Sequence, residues 1–156
     1  MGKYFEENTE KIYVTKEGYE EFFAELEKRK EEFMTNSSSG SKMYQDAVGD
    51  SWHDNFDFEN SMREENKIAS SVDKMLRDVK RLVIVEEKQV KNLVNINDTI
   101  RVILEFSEGD TEEEIIKLTG RYIPKIHTDS VLEVTLNSPV GRAIYQSKIP
   151  STTYYE

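Results

Sequence analysis

Asp50, Asp54 and Asp57 fall within eight residues of one another in the stretch "GDSWHDNFDFENSMREE", Gly49 to Glu65. The same stretch holds the only Trp of the chain, Trp52, and one of its two His, His53. Carboxylate oxygens suit hard divalent cations. Mg²⁺ in particular keeps several waters and takes only one or two protein carboxylates, so a site of this kind is weak until another macromolecule supplies more ligands. Other chemistries fail on spacing. An EF-hand loop begun at Asp50 would place Trp52 at its third position and Asn55 at its sixth, where an oxygen ligand and a Gly are needed. His53 and the distant His127 are too few for zinc. There is no Ser-His-Asp pattern and no Gly-rich phosphate loop. Against the metal stands an ordinary reading: Asp and Asn are common turn and cap residues, and Asp54 or Asn55 can simply cap the helix that follows. Trp52, if exposed at a tip, marks a contact surface.

The elements that must position this turn are legible on both sides of it. Thr15 reads as an N-cap, and Tyr19, Phe22, Phe23, Leu26 and Phe33 then recur as one apolar helical stripe. Met43 and Ala47 continue its register. After the turn, Phe58, Met62, Ala69, Val72, Leu76, Val79 and Val83 alternate by four and three with Glu65 in the seam, the spacing of a coiled coil. A second helix from about Asn55 to Val83 is expected, roughly 40 Å long at about 1.5 Å per residue. The two helices form an antiparallel hairpin with the acidic turn at its tip. "TNSSSGSK", Thr35 to Lys42, opposes this: Ser and Gly are poor interior helix residues, so a frayed or kinked piece, or a loop and a shorter first helix, is expected there.

Beyond Glu87 the period changes. Thr99 to Ser107 and Glu113 to Tyr122 read as two strands joined by the turn "SEGDT", and Ser130 to Asn137 as a third. Ser138 as N-cap with Pro139 at the first position starts a short helix. The expected organisation is α+β, with a helical arm over 1–86 and a small sheet domain over 87–156.

Composition limits the function classes. The chain has 156 residues, 33% charged and 37% hydrophobic, with a net charge of −10 and no Cys. Independent binding to duplex DNA is not expected from so acidic a chain, because phosphate contacts need Lys and Arg. A basic protein cleft or a metal is the better match. Disulfides and thiolate zinc sites are excluded. No membrane span or signal peptide is evident, and a cytoplasmic location is expected.

Three stretches together resemble the bacterial Gre transcript-cleavage factors, over nearly the whole chain. "VTKEGYEEFFAELEKRK" is similar to the family's opening. Gly49, Asp50, Asp54, Asn55, Asp57 and Phe58 match the tip motif "GDLxENAEY", and "VTLNSPVGRAIYQSKI" resembles "SVNSPLGRALLGKxV". The resemblance implies a coiled-coil arm entering the secondary channel of bacterial RNA polymerase, with an FKBP-like antiparallel sheet domain docking at the rim. It implies that Asp50 and Asp54, supported by Asp57, help hold a catalytic Mg²⁺ shared with the polymerase, which then cleaves backtracked transcript RNA by two-metal chemistry. The factor itself is not an enzyme. Trp52 and the "SPVGR" residues Ser138, Pro139, Gly141 and Arg142 are the implied partner-binding positions, the latter group with obvious structural uses as well.

Two departures from the family pattern matter. Ser51-Trp52-His53 stands where the family has two residues, and Asp54 replaces a Glu. A channel-binding regulator or inhibitor without cleavage activity is therefore the second reading. The sheet domain is also expected to lack its last strand or strands, since only "IPSTTYYE" follows the short helix.

Overall fold

The computed structural model describes residues 10–47, 55–125 and 130–154, without the side chains of 37–47 and 55–58. The chain is α+β. Its order is β1 (Ile12–Val14), α1 (Lys16–Ala47), α2 (Asn55–Asp78), a 3-10 turn (Val79–Arg81), β2 (Leu82–Ile84), β3 (Thr99–Glu105), β4 (Thr111–Thr119), β5 (Val131–Thr135) and α3 (Pro139–Ile144).

The chain divides into two compact units, Met1–Phe22 with Leu82–Glu156, and Phe23–Arg81. This is not the single cut at 86/87 expected from the sequence. Strand β1 pairs in parallel with β2, Ile12 opposite Leu82 and Val14 opposite Ile84, so the N-terminal strand and the first turns of α1 group with the sheet. Neither strand was expected. Three residues are too few to show a period, and Val83 fits the heptad spacing of the preceding helix equally well.

In the helical unit, α1 runs unbroken through the Ser-rich stretch to Ala47, so the expected interruption there is not observed. Helix α2 ends at Asp78, several residues before Val83, and tightens into the 3-10 turn. The Arg29 guanidinium donates to Ser71 Oγ, joining the early part of the α1 arm to the late part of α2, as an antiparallel hairpin requires. In the α1 part of this unit Leu26 is buried, and Arg29, Phe33 and Asn36 continue from it as half-buried positions stepping by three and four, with Phe23, Glu25 and Lys30 half-buried beside them. On α2 and the 3-10 turn, Ser61, Glu65, Ile68, Val72 and Val79 are half-buried and Met75 and Asp78 are buried, with Ala69 and Ser71 half-buried beside this row. The expected half-row Glu65, Val72 and Val79 is in place. Of the rest, Ala69 and Val83 are half-buried, whereas Met62 and Leu76 are 47% and 46% exposed and Met75, beside Leu76, is 1% exposed. Two adjacent apolar residues leave a heptad register ambiguous, and Ile68-Ala69 and Met75-Leu76 are such pairs.

In the other unit, β3, β4 and β5 form a three-stranded sheet in that order. The β3–β4 pair is an antiparallel hairpin, Thr99 opposite Lys117 and Glu105 opposite Thr111. Strand β5 runs parallel to β4, so the sheet is mixed and not wholly antiparallel. Val94, Ile96, Ile116, Leu118, Val134, Leu136 and Ile144 form its core, with Ile100, Val102 and Val140 packed against them. Alternation decides this face: Ile100 and Val102 point inward, while Arg101 and Ile103 point out. Among the described residues no strand follows α3, and Tyr154 is exposed.

Candidate functional site

The acidic turn lies between the end of α1 at Ala47 and the start of α2 at Asn55. Gly49, Asp50, Trp52, His53 and Asp54 are outside the described residues. Asp57 falls in the first turn of α2 by its backbone. In sequence, Asp50 and Asp54 fall between the two helices. Among the described residues, no group of three or more His, Asp or Glu side chains is arranged to hold a metal ion.

The "NSPVGRA" element has a clear structural basis. Ser138 caps α3, its hydroxyl accepting from the Gly141 N–H at 3.0 Å and donating to the Thr135 carbonyl at 2.9 Å. Pro139 takes the first helical position, where its missing N–H leaves nothing unsatisfied. Gly141 is buried, and a Cβ there would stand 1.9 Å from the Thr135 carbonyl oxygen. Arg142 is exposed and pairs with Glu10, whose hydrogen bond raises the guanidinium pKa above its ordinary value. Asn137 has a role the sequence did not disclose. Its side chain accepts from the Tyr13 N–H at 2.7 Å and donates to the Tyr13 carbonyl at 2.9 Å, as a neighbouring strand would, and so holds β1.

Of a second constellation the sequence disclosed only the Thr15 cap of α1. Gly120, Arg121 and Tyr122 follow β4 and meet the beginning of α1. The Thr15 N–H donates to the Gly120 carbonyl at 3.0 Å, while the Thr15 hydroxyl caps α1 through the Gly18 N–H at 3.1 Å. A Cβ on Gly18 would lie 2.1 Å from the Gly120 carbonyl oxygen, so two glycines make this close approach feasible. Phe22 and Tyr122 stack edge to face at 4.8 Å. Arg121 faces three carboxylates, Glu21 at 3.4 Å and Glu17 and Glu133 at 3.8 Å each. Glu133 is buried and also accepts from the Lys125 N–H at 2.9 Å. Its one sequence signal was a carboxylate in an otherwise apolar strand.

Each unit defines its own element class: two long helices in one, and a small mixed three-stranded sheet with a short helix in the other. No protein-family model matches the chain. The chain is 25% identical over 140 residues to the transcription elongation factor GreA of Thermosipho africanus, covering 90% of this chain and 84% of that one. It is 24% identical over 140 residues to GreA of Thermosipho melanesiensis, with the same coverage. Among solved structures, the transcription factor Gfh1 aligns over 94% of this chain and 88% of its own, at 17% identity and a TM-score of 0.49. Gfh1 of Thermus thermophilus aligns over 93% of this chain and 89% of its own, at 18% identity and a TM-score of 0.47. In sequence the chain is similar to these two GreA transcription elongation factors over most of its length.

No helix among the described residues is long and apolar enough to cross a membrane.

Proposed function

We propose that this protein is a Gre-type factor that binds bacterial RNA polymerase through the secondary channel and stimulates cleavage of backtracked RNA by the polymerase. The observation that carries the reading is the sequence position of Asp50 and Asp54 between α1 and α2, with Asp57 in the first turn of α2, in a chain similar to GreA over most of its length. Asp50 and Asp54 are the pair directed at Mg²⁺, and Asp57 adds negative charge one turn away. The ion, when bound among polymerase and factor ligands, lowers the pKa of its water and stabilises charge on the phosphoryl oxygens. The part played by this chain is to position carboxylates and to occupy the channel; the bond is broken by the polymerase, not by the factor. The chain's own affinity for Mg²⁺ is weak, because two or three carboxylates on a turn replace too little of the ion's hydration shell. Residues Ser138, Pro139, Gly141 and Arg142 belong to the domain that docks at the rim, with Pro139 and Arg142 on its exposed side.

The second reading is a regulator that occupies the channel without delivering metal. The extra residue between Asp50 and Asp54 and the short Asp54 side chain favour it, since both change the reach of the second carboxylate. Stalled, backtracked elongation complexes incubated with the protein and Mg²⁺ separate the two. Short 3′ RNA fragments, lost in Asp50→Ala and Asp54→Ala while polymerase binding persists, support cleavage. Polymerase binding without fragments at any Mg²⁺ concentration supports the regulator.

A further inference from the structure

The two edges of the β3–β4–β5 sheet differ in what surrounds them. Beside β5, the segment Arg121–Lys125 crosses the outer face and is pinned there by Glu133. Strand β3 is the other edge, and no strand among the described residues pairs with its free side. An open edge presents a row of backbone donors and acceptors ready to pair with another chain, and proteins that need no such partner usually blunt it with Lys, Pro or a bulge. Strand β3 has seven residues, pairs with β4 in unbroken register and contains neither Lys nor Pro.

The outer face beside this edge is apolar where a polar surface would be expected. On it Ile103 is 71% and Ile115 39% exposed, and Phe106, 42% exposed, follows β3 at the start of the hairpin loop. Ile103 opposes Glu113 and Ile115 opposes Arg101, so the two Ile are diagonal neighbours on one face. Arg101 and Glu113 occupy the other diagonal as an ion pair at 3.2 Å. Toward the hairpin turn from Arg101 the charge has one sign. Glu105, Glu108, Asp110, Glu112, Glu113 and Glu114 lie in ten consecutive residues that contain no Lys or Arg. The carboxylates repel the corresponding edge of a second copy, as does the net charge of −10. They attract an extended segment that carries Lys or Arg.

We propose that the β3 edge, with Ile103, Ile115 and Phe106, is a docking strip for an extended basic segment of a protein partner, which adds to the sheet as a fourth strand. Main-chain hydrogen bonds along β3 supply the pairing, apolar side chains of the segment cover the Ile diagonal, and its Lys or Arg side chains meet the hairpin carboxylates. The inference is independent of the tip chemistry and of the polymerase reading, and its test involves neither.

The full-length protein, isotope-labelled, is titrated with a nine-residue peptide alternating Lys and Val, and the amide shifts are followed by NMR. The expected result is perturbation concentrated on Thr99–Glu105 and on the facing part of β4. Methylation of alternate peptide nitrogens, which removes strand pairing but keeps the charge, weakens binding about tenfold or more if main-chain pairing supplies the affinity. Ile103→Ser weakens it as well without loss of spectral dispersion, since that side chain is largely solvated. A peptide alternating Glu and Val does not bind. Equal binding of the methylated peptide overturns the proposal and leaves a solvated acidic surface only. So do shifts spread over the acidic faces of α1 and α2, or self-association of the chain through the same residues.

Discussion

Met75 and Leu76 are adjacent in the sequence, yet only Met75 is enclosed in the helical unit. Met75→Ala is expected to cost about 2–5 kcal/mol, the usual range for truncating a buried Met. Leu76→Ala, at a half-exposed site, is expected to cost less than about 1 kcal/mol. Urea unfolding of the two variants checks this. Near-equal losses would restore the register in which Leu76 belongs to the seam. Charge sharpens the contrast: Met75→Asp buries an unpaired carboxylate and unfolds the arm, while Leu76→Asp leaves its helicity intact. The glycines of α1 make a second residue-scale case. Propensity alone favours Ala over Gly in a helix by about 1 kcal/mol. Gly40→Ala is therefore expected to stabilise α1 by about that amount. Gly18→Ala is expected to do the opposite, because its Cβ would meet the Gly120 carbonyl oxygen at 2.1 Å and something must shift. Overpacking of this kind typically costs about 1–3 kcal/mol, enough to reverse the propensity gain. Melting temperatures that move in the same direction for both variants would contradict the close approach.

At the scale of the element, α3 depends on its first residue. It has six residues, too short to persist on propensity, and its orphan N–H groups need the Ser138 hydroxyl. Ser138→Ala is expected to cost about 1 kcal/mol, and Ser138→Asp, which restores a cap acceptor, to recover most of it. Chemical denaturation of the two variants tests the cap. Failure of both by similar amounts would mean that the Ser138–Thr135 bond, and not the cap, carries the effect. Helix α1 shows where element-level reading falls short. Its Ser-rich stretch has poor local propensity, and the structure nevertheless continues the helix to Ala47. A weak local preference, summed over eight residues, is within reach of tertiary override. The sheet strands were easier: Thr99–Glu105 and Val131–Thr135 are rich in β-branched residues and bounded by turn residues, and both stand within a residue or two of their expected positions.

At the scale of the molecule, β1 and β2 bring the two ends of the helical segment back to one small sheet, Tyr13 opposite Val83. Replacing Phe23–Arg81 by a short Gly-rich linker is therefore expected to leave a folded sheet domain, since its core residues all lie in the retained segments. Dispersed amide and methyl resonances in the shortened protein would check this. Removing Met1–Val14 from the full chain should instead damage that domain, because it takes away β1 and the Tyr13 backbone that Asn137 holds. A sheet domain that survives the second deletion unchanged would show that β1 is an accessory.

What the sequence determined by itself is the part carried by short-range pattern. The change of period from helix to strand near residue 87, the acidic turn, the capped start of α3 and the strand alternation all depend on neighbours a few residues apart, and period and cap chemistry act at that range. The tip carboxylates were legible for the same reason, as residue types at a spacing. Tertiary structure decided what depends on partners far along the chain. Whether Met75 or Leu76 faces inward is fixed by the helix it meets, not by its own apolar character. The pairing of β1 with β2 joins residues separated by the whole arm, and three-residue strands carry no period to announce it. Arg121 and its ring of Glu17, Glu21 and Glu133 is assembled from three distant segments, and each member alone looks like an ordinary surface charge. Such contacts are selected by geometry after the elements have formed, and a linear pattern holds no record of them.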